Sequence, residues 1–228
     1  MNNDYKKLDE YFYTLMDRSP SRYKILEIAK KHFNGRTNLV GAEIGIFNGE
    51  FSKKINEYLE FDKFHLIDIW DLDYTYEDGT NLSKIKTNDY MKHIYENVLK
   101  KFSDDKYNIM KQPSNIAADN FADDSLDFIY IDGNHQQCGD DLKVWFKKLK
   151  QGGIIAGHDY YGKVKSDVDR FFNNKVRVVR SKIPQWIYIN CSEFDTVPKE
   201  RIKNTQHSRR YVFSTGNIAK INQLNKMI

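Results

Sequence analysis

The chain has 228 residues, of which 40% are hydrophobic and 14% aromatic, so it contains enough apolar surface to bury the core of one domain. No segment approaches the roughly 18 consecutive apolar residues of a membrane span, and the first residues lack the apolar part of a secretory signal, so we expect a cytoplasmic protein. The two cysteines, Cys138 and Cys191, lack metal-ligand spacing and exclude a disulfide framework.

The positive charge is concentrated near the C-terminus. The chain has a net charge of +4, but residues 197–228 carry seven Lys and Arg against one Glu, which leaves a net charge of −2 for the remainder. Such runs are usually solvated faces or oligomer contacts, and a phosphate-binding role is the less favoured interpretation. Nucleic acid is therefore not expected as a partner, whereas a homo-oligomer stays open.

Two helices are predicted before the core, over residues 4–17 and 21–34. Ser19-Pro20-Ser21 is typical of a helix start and Asn34-Gly35 of a helix end. From Asn38 onward, short apolar runs alternate with segments of helical spacing, a pattern that predicts a parallel sheet flanked by helices. The runs predicted as strands are 39–46, 64–69, 107–110, 126–131 and 154–157.

The clearest intervening helix is predicted over residues 140–149. Its apolar face is formed at helical spacing by Leu142, Trp145, Phe146 and Leu149. Gly152-Gly153, which follows, is interpreted as the end of this helix.

The remaining segments complete the organisation of the chain. Residues 177–179 and 186–190 are predicted to form a closing antiparallel pair. The polar insertion at 70–90 either covers a ligand site or is a plain surface loop. We divide the single domain into N-terminal helices (1–36), a core (38–190) and a basic extension (191–228).

The turn after the first predicted strand combines a carboxylate with two glycines, in the order Glu43-Ile44-Gly45-Ile46-Phe47-Asn48-Gly49. Glycines at a strand-to-helix turn let the backbone approach a ligand closely. A dinucleotide fingerprint would need G-x-G-x-x-G, but Glu43 replaces its first glycine and the last spacing is one residue longer, so nicotinamide cofactors are not expected. Glu43 would repel a pyrophosphate, and would attract an ammonium group or order a water beside a sulfonium.

A second carboxylate, Asp68, ends the second predicted strand, 25 residues after Glu43. An acidic side chain at this point of a nucleotide-binding fold hydrogen-bonds the hydroxyls of a ribose. Each acid alone is equally well interpreted as a strand-end residue that caps backbone amides. Together, on consecutive strands beside one crevice, they favour a nucleoside ligand.

Several motifs follow one another between about residues 38 and 175: Glu43-x-Gly45-x-x-x-Gly49, Asp68, Leu126-Asp-Phe-Ile-Tyr-Ile-Asp132-Gly-Asn-His135, Asp141-Leu-x-x-Trp145, Gly152-Gly153 and Gly157-His158-Asp159-Tyr160. This ordered set resembles class I S-adenosylmethionine-dependent methyltransferases, and within them the macrocin-type sugar O-methyltransferases and the cephalosporin-hydroxylase-like proteins. The resemblance implies a Rossmann-like, doubly wound α/β fold. Its sheet would be mostly parallel and seven-stranded, with an antiparallel closing strand and an N-terminal helical extension.

The resemblance implies S-adenosylmethionine as the cofactor. The residues that it places at the cofactor are Glu43, Gly45, Ile46, Gly49, Ser52, Asp68, Ile69, Ser114, Asp132, Gly133 and His135. Glu43, Gly45 and Gly49 would lie against the methionine part, and Asp68 would hold the ribose. Ser114 would approach the adenine, and an N-cap at the start of a helix is an equal interpretation of this serine.

The methyl acceptor is expected where the fourth and fifth strands end, because parallel-sheet enzymes carry their chemistry at the carboxyl ends of strands. A sugar hydroxyl is a poor acid, so methylating it needs a base or a divalent cation. Asp132, His135 and His158 are predicted as catalytic residues, with either histidine as the base. Alternatively, His135 caps the next helix or lines the cofactor. Tyr160 and Tyr161 form a wall for the acceptor or belong to the core.

The resemblance also implies a metal site. In metal-dependent members of the group, an aspartate after the fourth strand and two adjacent acids after the fifth bind magnesium. Asp132 and Asp159 match two of these positions, and His158 replaces the first of the adjacent acids. Asp132, His158 and Asp159 would suit magnesium, a borderline ion such as manganese, or no metal.

The predicted function is therefore an S-adenosylmethionine-dependent O-methyltransferase acting on a hydroxyl of a small molecule, a sugar or glycoside. Two alternatives stay open. Asp71-Leu72-Asp73 resembles the D-x-D pair with which some glycosyltransferases hold a metal and a nucleotide sugar, but this leaves Glu43 and Asp132 without a role. A non-catalytic nucleic-acid-binding protein would use the basic extension, and the net charge of −2 elsewhere argues against it.

Overall fold

The computed structural model describes residues 3–15, 20–71 and 88–191. The helices are α1 (Asn3–Leu15), α2 (Lys24–Phe33), α3 (Glu50–Tyr58), α4 (Asn88–Lys101), α5 (Ser114–Ala118), α6 (Cys138–Trp145) and α7 (Gly162–Phe171), with short 3₁₀ helices at Pro20–Tyr23 and Phe146–Lys148. The strands are β1 (Leu39–Ile44), β2 (Phe61–Asp68), β3 (Tyr107–Lys111), β4 (Leu126–Ile131), β5 (Leu149–Gly157), β6 (Arg177–Val179) and β7 (Gln185–Ile189). Most of the predicted insertion, including Asp73, and the basic extension from residue 192 onward lie outside the described residues.

The strands form one seven-stranded sheet in the order β3-β2-β1-β4-β5-β7-β6. Strands β1 to β5 pair in parallel, and β7 runs antiparallel to both β5 and β6. This arrangement confirms the predicted fold class and the antiparallel closing pair. The chain order reverses direction between β1 and β4, so the loops after these strands diverge and leave a crevice at their carboxyl ends.

Both faces of the sheet are buried, as a parallel sheet between helical layers requires. Alternate residues of β4 show the two faces, since Phe128 and Tyr130 join one apolar cluster while Ile129 and Ile131 join the other. The first cluster draws on α1 to α4, and the second on α5 to α7. The sheet is therefore held rigidly from both sides, and its carboxyl edge can position side chains precisely.

The N-terminal helices are tied to the far end of the sheet through Gln185 on β7. This fully buried amide donates from Nε2 to the main-chain oxygen of Arg22, at 2.9 Å, and its Oε1 accepts from the hydroxyl of Tyr130, also at 2.9 Å. Gln185 thereby connects the 3₁₀ helix, β4 and β7. None of the described helices is long and apolar enough to cross a membrane.

The prediction of a helix over residues 140–149 was wrong at its C-terminal end. Helix α6 ends at Trp145, a 3₁₀ turn follows, and β5 begins at Leu149, which pairs with Leu126. Gly152 and Gly153 lie within β5 and do not end a helix. A Cβ at Gly153 would stand 2.8 Å from Leu149, so this strand needs a glycine where its pairing with β4 is irregular.

Candidate active site

A cleft opens at the carboxyl ends of β1, β2 and β4 and encloses about 530 Å³ when the space at its mouth is included. Its apolar walls come from the side chains of Ile44, Ile67, Ile69 and Pro113. Its polar lining includes Asp68, Gln112, Ser114, Asn134, Gln137 and Asp141. Apolar walls with a few polar groups are typical of a site that binds a small organic molecule.

Two loops meet at Gly45, on the wall of the cleft. Gly45 has φ 85°, and a Cβ on it would lie 2.4 Å from the main-chain oxygen of Asp132 and 2.5 Å from Gly133. The Asp132 amide also donates to the main-chain oxygen of Ile44, at 2.8 Å. Only glycine allows the loop after β1 to lie this close to the loop after β4.

Asp68 organises the loops on either side of it. Its Oδ2 accepts from the Phe47 amide at 2.8 Å, and its Oδ1 accepts from the Trp70 amide at 3.1 Å. The Trp70 indole in turn donates to the main-chain oxygen of Phe47, at 2.8 Å. Each carboxylate oxygen has a second lone pair, so this fixed carboxylate can also accept the two hydroxyls of a ribose.

The structure separates the predicted cofactor residues into three groups, one of which, Asp132 and His135, lies in the cluster at the ends of β4 and β5 and does not line the cleft. Gly45, Asp68, Ile69, Ser114 and Gly133 line the cleft. Four further residues are buried and do not line the cleft: Glu43, Ile46, Gly49 and Ser52. Gly49 begins α3 with a left-handed backbone and packs against the ring of Phe102. The direct contact predicted for these four residues stays a prediction.

Glu43 is buried directly behind the first turn, at 1% exposure. Burial raises the pKa of Glu43 to about 8. Oε2 of Glu43 and Oγ of Ser52 have no hydrogen-bond partner among the described residues. An unsatisfied buried carboxyl is costly, and a cationic group bound in front of it would lower that cost.

Ser114 does not cap helix α5, so that alternative interpretation was wrong. The N-cap position is Pro113, without a side-chain cap, and the Ser114 hydroxyl accepts from the indole of Trp145 on α6, at 2.8 Å. Asp141 lies on the same side of the cleft. Burial raises the pKa of Asp141 to about 6, although the Ser114 hydroxyl favours its ionised form.

A cluster of acids and histidines stands where β4 and β5 end. Asp132, His158 and Asp159 each offer a ligand atom, and these atoms lie within 4.8 Å of one another. Neighbours on a strand point to opposite faces, but β5 ends at Gly157 and Asp159 has φ 51°, so His158 and Asp159 turn to the same side. His135 joins the cluster, with its Nε2 2.8 Å from Oδ2 of Asp159.

The charges within this cluster are strongly coupled. Burial opposes protonation of His158, but the Asp132 carboxylate and hydrogen bonds to Asp132 and Asp159 outweigh it and raise the pKa of His158 to about 9. Burial opposes ionisation of Asp159, yet hydrogen bonds from His135 and His158 hold the pKa of Asp159 well below its ordinary value. Without a metal, His158 is therefore a cation at neutral pH and cannot accept a proton.

Arg22 also reaches this cluster, and the sequence analysis missed it. Its Nη2 lies 3.2 Å from Oδ2 of Asp132, and its guanidinium stacks 4.4 Å from the ring centroid of Phe51.

The two tyrosines predicted as a wall for the acceptor differ from each other. Tyr160 donates to Asp169 and packs against the second apolar cluster, whereas Tyr161 is 53% exposed beside Asp159.

Proteins that are similar to this chain in sequence or in structure include methyltransferases. The family profile described as "Methyltransferase domain" matches residues 42–160. A putative S-adenosyl-L-methionine-dependent methyltransferase from Methanococcus maripaludis has a similar structure (TM-score 0.53, 16% identity), covering 85% of this chain and 94% of that one. A putative O-methyltransferase from Klebsiella pneumoniae is also similar (TM-score 0.54, 11% identity), covering 76% of this chain and 82% of that one. The O-methyltransferase NovP is similar as well (TM-score 0.53, 15% identity), covering 75% of this chain and 80% of that one. No curated protein sequence matches the chain significantly.

The sheet order, the cleft beside β1 and β2 and the carboxylate at the end of β2, together with the family match, define a class I S-adenosylmethionine-dependent methyltransferase. The matched segment spans 119 of the 228 residues, just over half of the chain, which therefore belongs to this methyltransferase-domain family. The cleft fits S-adenosylmethionine, since Asp68 suits the ribose and the buried Glu43 carboxyl suits the cationic end.

Proposed function

We propose that this methyltransferase modifies a hydroxyl group of a small molecule, a sugar or glycoside. The observation that carries the proposal is the contact between His135 and Asp159, 2.8 Å apart, at the end of β5 and beside Asp132. A histidine oriented by a carboxylate is a suitable base for removing a hydroxyl proton. It stands at the strand ends next to the cofactor cleft, where the acceptor has to meet the methyl group.

His135 and Asp159 have different roles in the proposed reaction. When bound, S-adenosylmethionine supplies a methyl group on a positively charged sulfur. His135 would accept the proton that the acceptor hydroxyl loses when its oxygen takes the methyl group. In the tautomer in which Nε2 of His135 donates to Asp159, Nδ1 carries the lone pair that accepts this proton. Asp159 then stabilises the imidazolium that forms.

A divalent cation is the second part of the proposal. Asp132, His158 and Asp159 offer two oxygens and one nitrogen, a set that suits manganese as well as magnesium. Such an ion would lower the pKa of a coordinated acceptor hydroxyl. Coordination requires a neutral His158, so binding the ion must release the proton that this histidine holds at neutral pH.

The half-exposed ring of Tyr161 supports a sugar as the acceptor. It lies beside Asp159 at the mouth of the cluster, and sugars stack on aromatic rings. Tyr160, by contrast, is engaged with Asp169. Substituting Tyr161 with alanine should raise KM for the acceptor and leave cofactor affinity unchanged.

The test is a methyl-transfer assay by mass spectrometry, with S-adenosylmethionine, manganese or magnesium, and a panel of sugars, glycosides, phenols and amines. The expected result is a product 14 mass units heavier from a glycoside hydroxyl, and loss of product in a His135→Ala variant. Methylation restricted to amines would contradict the hydroxyl acceptor. Full activity after treatment with a chelator would contradict the metal and leave His135 as the base.

A further inference from the structure

The loop between β6 and β7 lies beside the catalytic cluster. β7 runs antiparallel to β5, and the pairing of Gly157 with Trp186 brings the start of β7 to the carboxyl end of β5. The cluster stands at that end of the sheet. The amide of Tyr160, just after the cluster, donates to the main-chain oxygen of Pro184, at 2.8 Å. Residues 180–184, which form the loop before β7, therefore flank the mouth of the cluster.

Hydrogen bonds hold this loop in place. The Ser181 hydroxyl donates to the main-chain oxygen of Ile183 and accepts from Nε2 of Gln185, at 3.3 Å. Gln185 is itself fully buried and also binds the main-chain oxygen of Arg22. The loop is thereby anchored to the core of the fold. A fixed loop pays less entropy when its side chains bind a ligand, because its backbone is already ordered.

Two cations of this loop have no counter-charge within the described part of the protein. Arg180 and Lys182 are both exposed, and among the residues that the structure describes neither forms an ion pair. The two lysines in the first turn of α7 differ from them, because each pairs with an aspartate one turn further along that helix. Arg180 and Lys182 are therefore the cations beside the mouth that a ligand can neutralise.

Charge is unevenly distributed along the chain. Residues 157–191, from the end of β5 to the end of β7, carry seven Lys and Arg against three Asp, whereas residues 1–156 have a net charge of −4. Helix α7 begins at Gly162, directly after Tyr161, so the positive end of its dipole also lies at the carboxyl edge of the sheet. A site flanked by positive charge attracts anionic molecules and binds them in preference to neutral ones.

We infer that the methyl acceptor carries an anionic group, a phosphate ester or a carboxylate, and that Arg180 and Lys182 bind this group. The inference deepens the proposed function and rests on it. The Tyr161 hydroxyl donates to Asp159, so its ring holds the sugar over the cluster while the anionic group extends toward the loop. A guanidinium binds either oxyanion through two parallel hydrogen bonds, and an ammonium adds a second positive charge.

Three matched sugars test the inference: neutral glucose, glucuronate with a carboxylate, and glucose 1-phosphate with a phosphate ester. Their affinities for the protein saturated with S-adenosylhomocysteine are measured by NMR titration at low ionic strength. At least one anion should bind about 10 times more tightly than glucose, since two exposed charge pairs are worth about that much. The preference should shrink as salt is added. The anion that binds more tightly identifies the group.

Two double variants separate a specific site from net charge. In Arg180→Gln/Lys182→Gln, the preference for the anion should fall below about threefold. The control, Lys147→Gln/Arg177→Gln, removes two exposed cations elsewhere and should keep the wild-type preference. Lys147 lies in the 3₁₀ helix before β5, at the amino edge of the sheet, and Arg177 lies at the other end of β6 from the loop.

Three results would overturn the inference. The first is an unchanged preference in the Arg180/Lys182 variant, and the second is an equal fall in both double variants. The third is a wild-type protein that binds the three sugars equally or binds neither anion, and this result decides the question even if a variant does not fold. In a methyl-transfer assay, the Arg180/Lys182 variant should raise KM for an anionic acceptor and leave kcat nearly unchanged, because the two cations bind away from the reacting atoms.

The outcomes also distinguish this inference from the proposed function. Methylation of a hydroxyl with the same kcat/KM in neutral and anionic glycosides would remove the anionic acceptor and leave hydroxyl transfer intact. Methylation restricted to the amino groups of anionic molecules, weakened in the Arg180/Lys182 variant, would leave the anion site intact and remove the hydroxyl acceptor.

Discussion

Glu43 makes the stability of the ligand-free protein depend on pH. Its pKa in the folded state, about 8, lies above the ordinary value of 4.5, so the folded protein holds this proton more tightly than the unfolded chain. The resulting stability is fully present below pH 4.5 and is lost as the pH rises through 8. In Glu43→Gln this contribution is absent, because glutamine does not titrate.

Urea unfolding at pH 5 and pH 8 measures this effect. Between these values, the free energy of unfolding of Glu43→Gln minus that of the wild type should increase by about 3 kcal/mol. The exposed Glu60→Gln variant is the control and should show no such change. A pH-independent difference between Glu43→Gln and the wild type would mean that Glu43 is ionised throughout.

Asp132 is expected to serve the reaction and not the cofactor. It contacts Arg22 and His158, and it is absent from the lining of the cofactor cleft. Asp132→Asn should therefore abolish turnover while the affinity for S-adenosylhomocysteine falls less than about tenfold, or 1.4 kcal/mol. The exposed Asp123→Asn variant should retain both properties. Near-normal turnover in Asp132→Asn would refute the role.

The two histidines of the cluster should differ in function. His158 is a cation in the metal-free state, so His135 is the group able to accept a proton. In single-turnover experiments, His135→Ala should slow methyl transfer by about 100-fold to 10,000-fold with little change in cofactor affinity. The exposed His32→Ala variant is the control. A methyl-transfer rate in His135→Ala equal to that of the wild type would assign the base elsewhere.

At the scale of elements, Gln185 links three parts of the fold that are distant in sequence. Replacing it with leucine leaves the Tyr130 hydroxyl and the Arg22 main-chain oxygen without this partner in a buried site. We expect Gln185→Leu to lower the free energy of unfolding by about 2–4 kcal/mol, measured in urea. The exposed Gln136→Leu variant should change it by less than about 0.5 kcal/mol. A neutral Gln185→Leu would show that the link does not stabilise the fold.

The elements also show which features the sequence can predict. β4 was predicted over its observed bounds, because an apolar run interrupted only by Asp127 lies between polar turns. The start of β5 was missed, because Leu149 also fits the apolar spacing of the preceding helix. Leu149 belongs to β5 because it pairs with Leu126 across the sheet. The apolar spacing along the chain carries no information about this long-range contact.

The residues of the candidate site also differ in how far the sequence predicts them. Asp132, His158 and Asp159 follow predicted strands, so their position at one edge of the sheet could be expected from the topology. Arg22 reaches Asp132 across 110 residues of sequence, from a short 3₁₀ helix with no motif of its own. The position of Asp141 on the wall of the cleft could have been suspected from one signal, an acid within an otherwise apolar helix face.

At the scale of the whole molecule, the bound cofactor is expected to stabilise the fold by connecting elements at the carboxyl edge of the sheet. The cleft draws residues from β1, β2, the loop after β4, α5 and α6, so a ligand bound there links the strand ends to the helical layer formed by α5 to α7. Anything that binds only the folded state stabilises it, by about 2.7 kcal/mol at a ligand concentration 100 times Kd. For a chain of this length, that corresponds to a rise in Tm of about 5–10 °C.

Hydrogen exchange can show where this stabilisation acts. With S-adenosylhomocysteine at 100 times Kd, amides of the loops at 44–48, 68–71 and 132–137 should exchange more slowly, whereas the edge pair β6 and β7 should change little. In Asp68→Ala the same ligand concentration should give a smaller rise in Tm, because the ribose carboxylate is lost. A full rise in Tm in Asp68→Ala, with protection confined to β6 and β7, would place the cofactor outside this cleft.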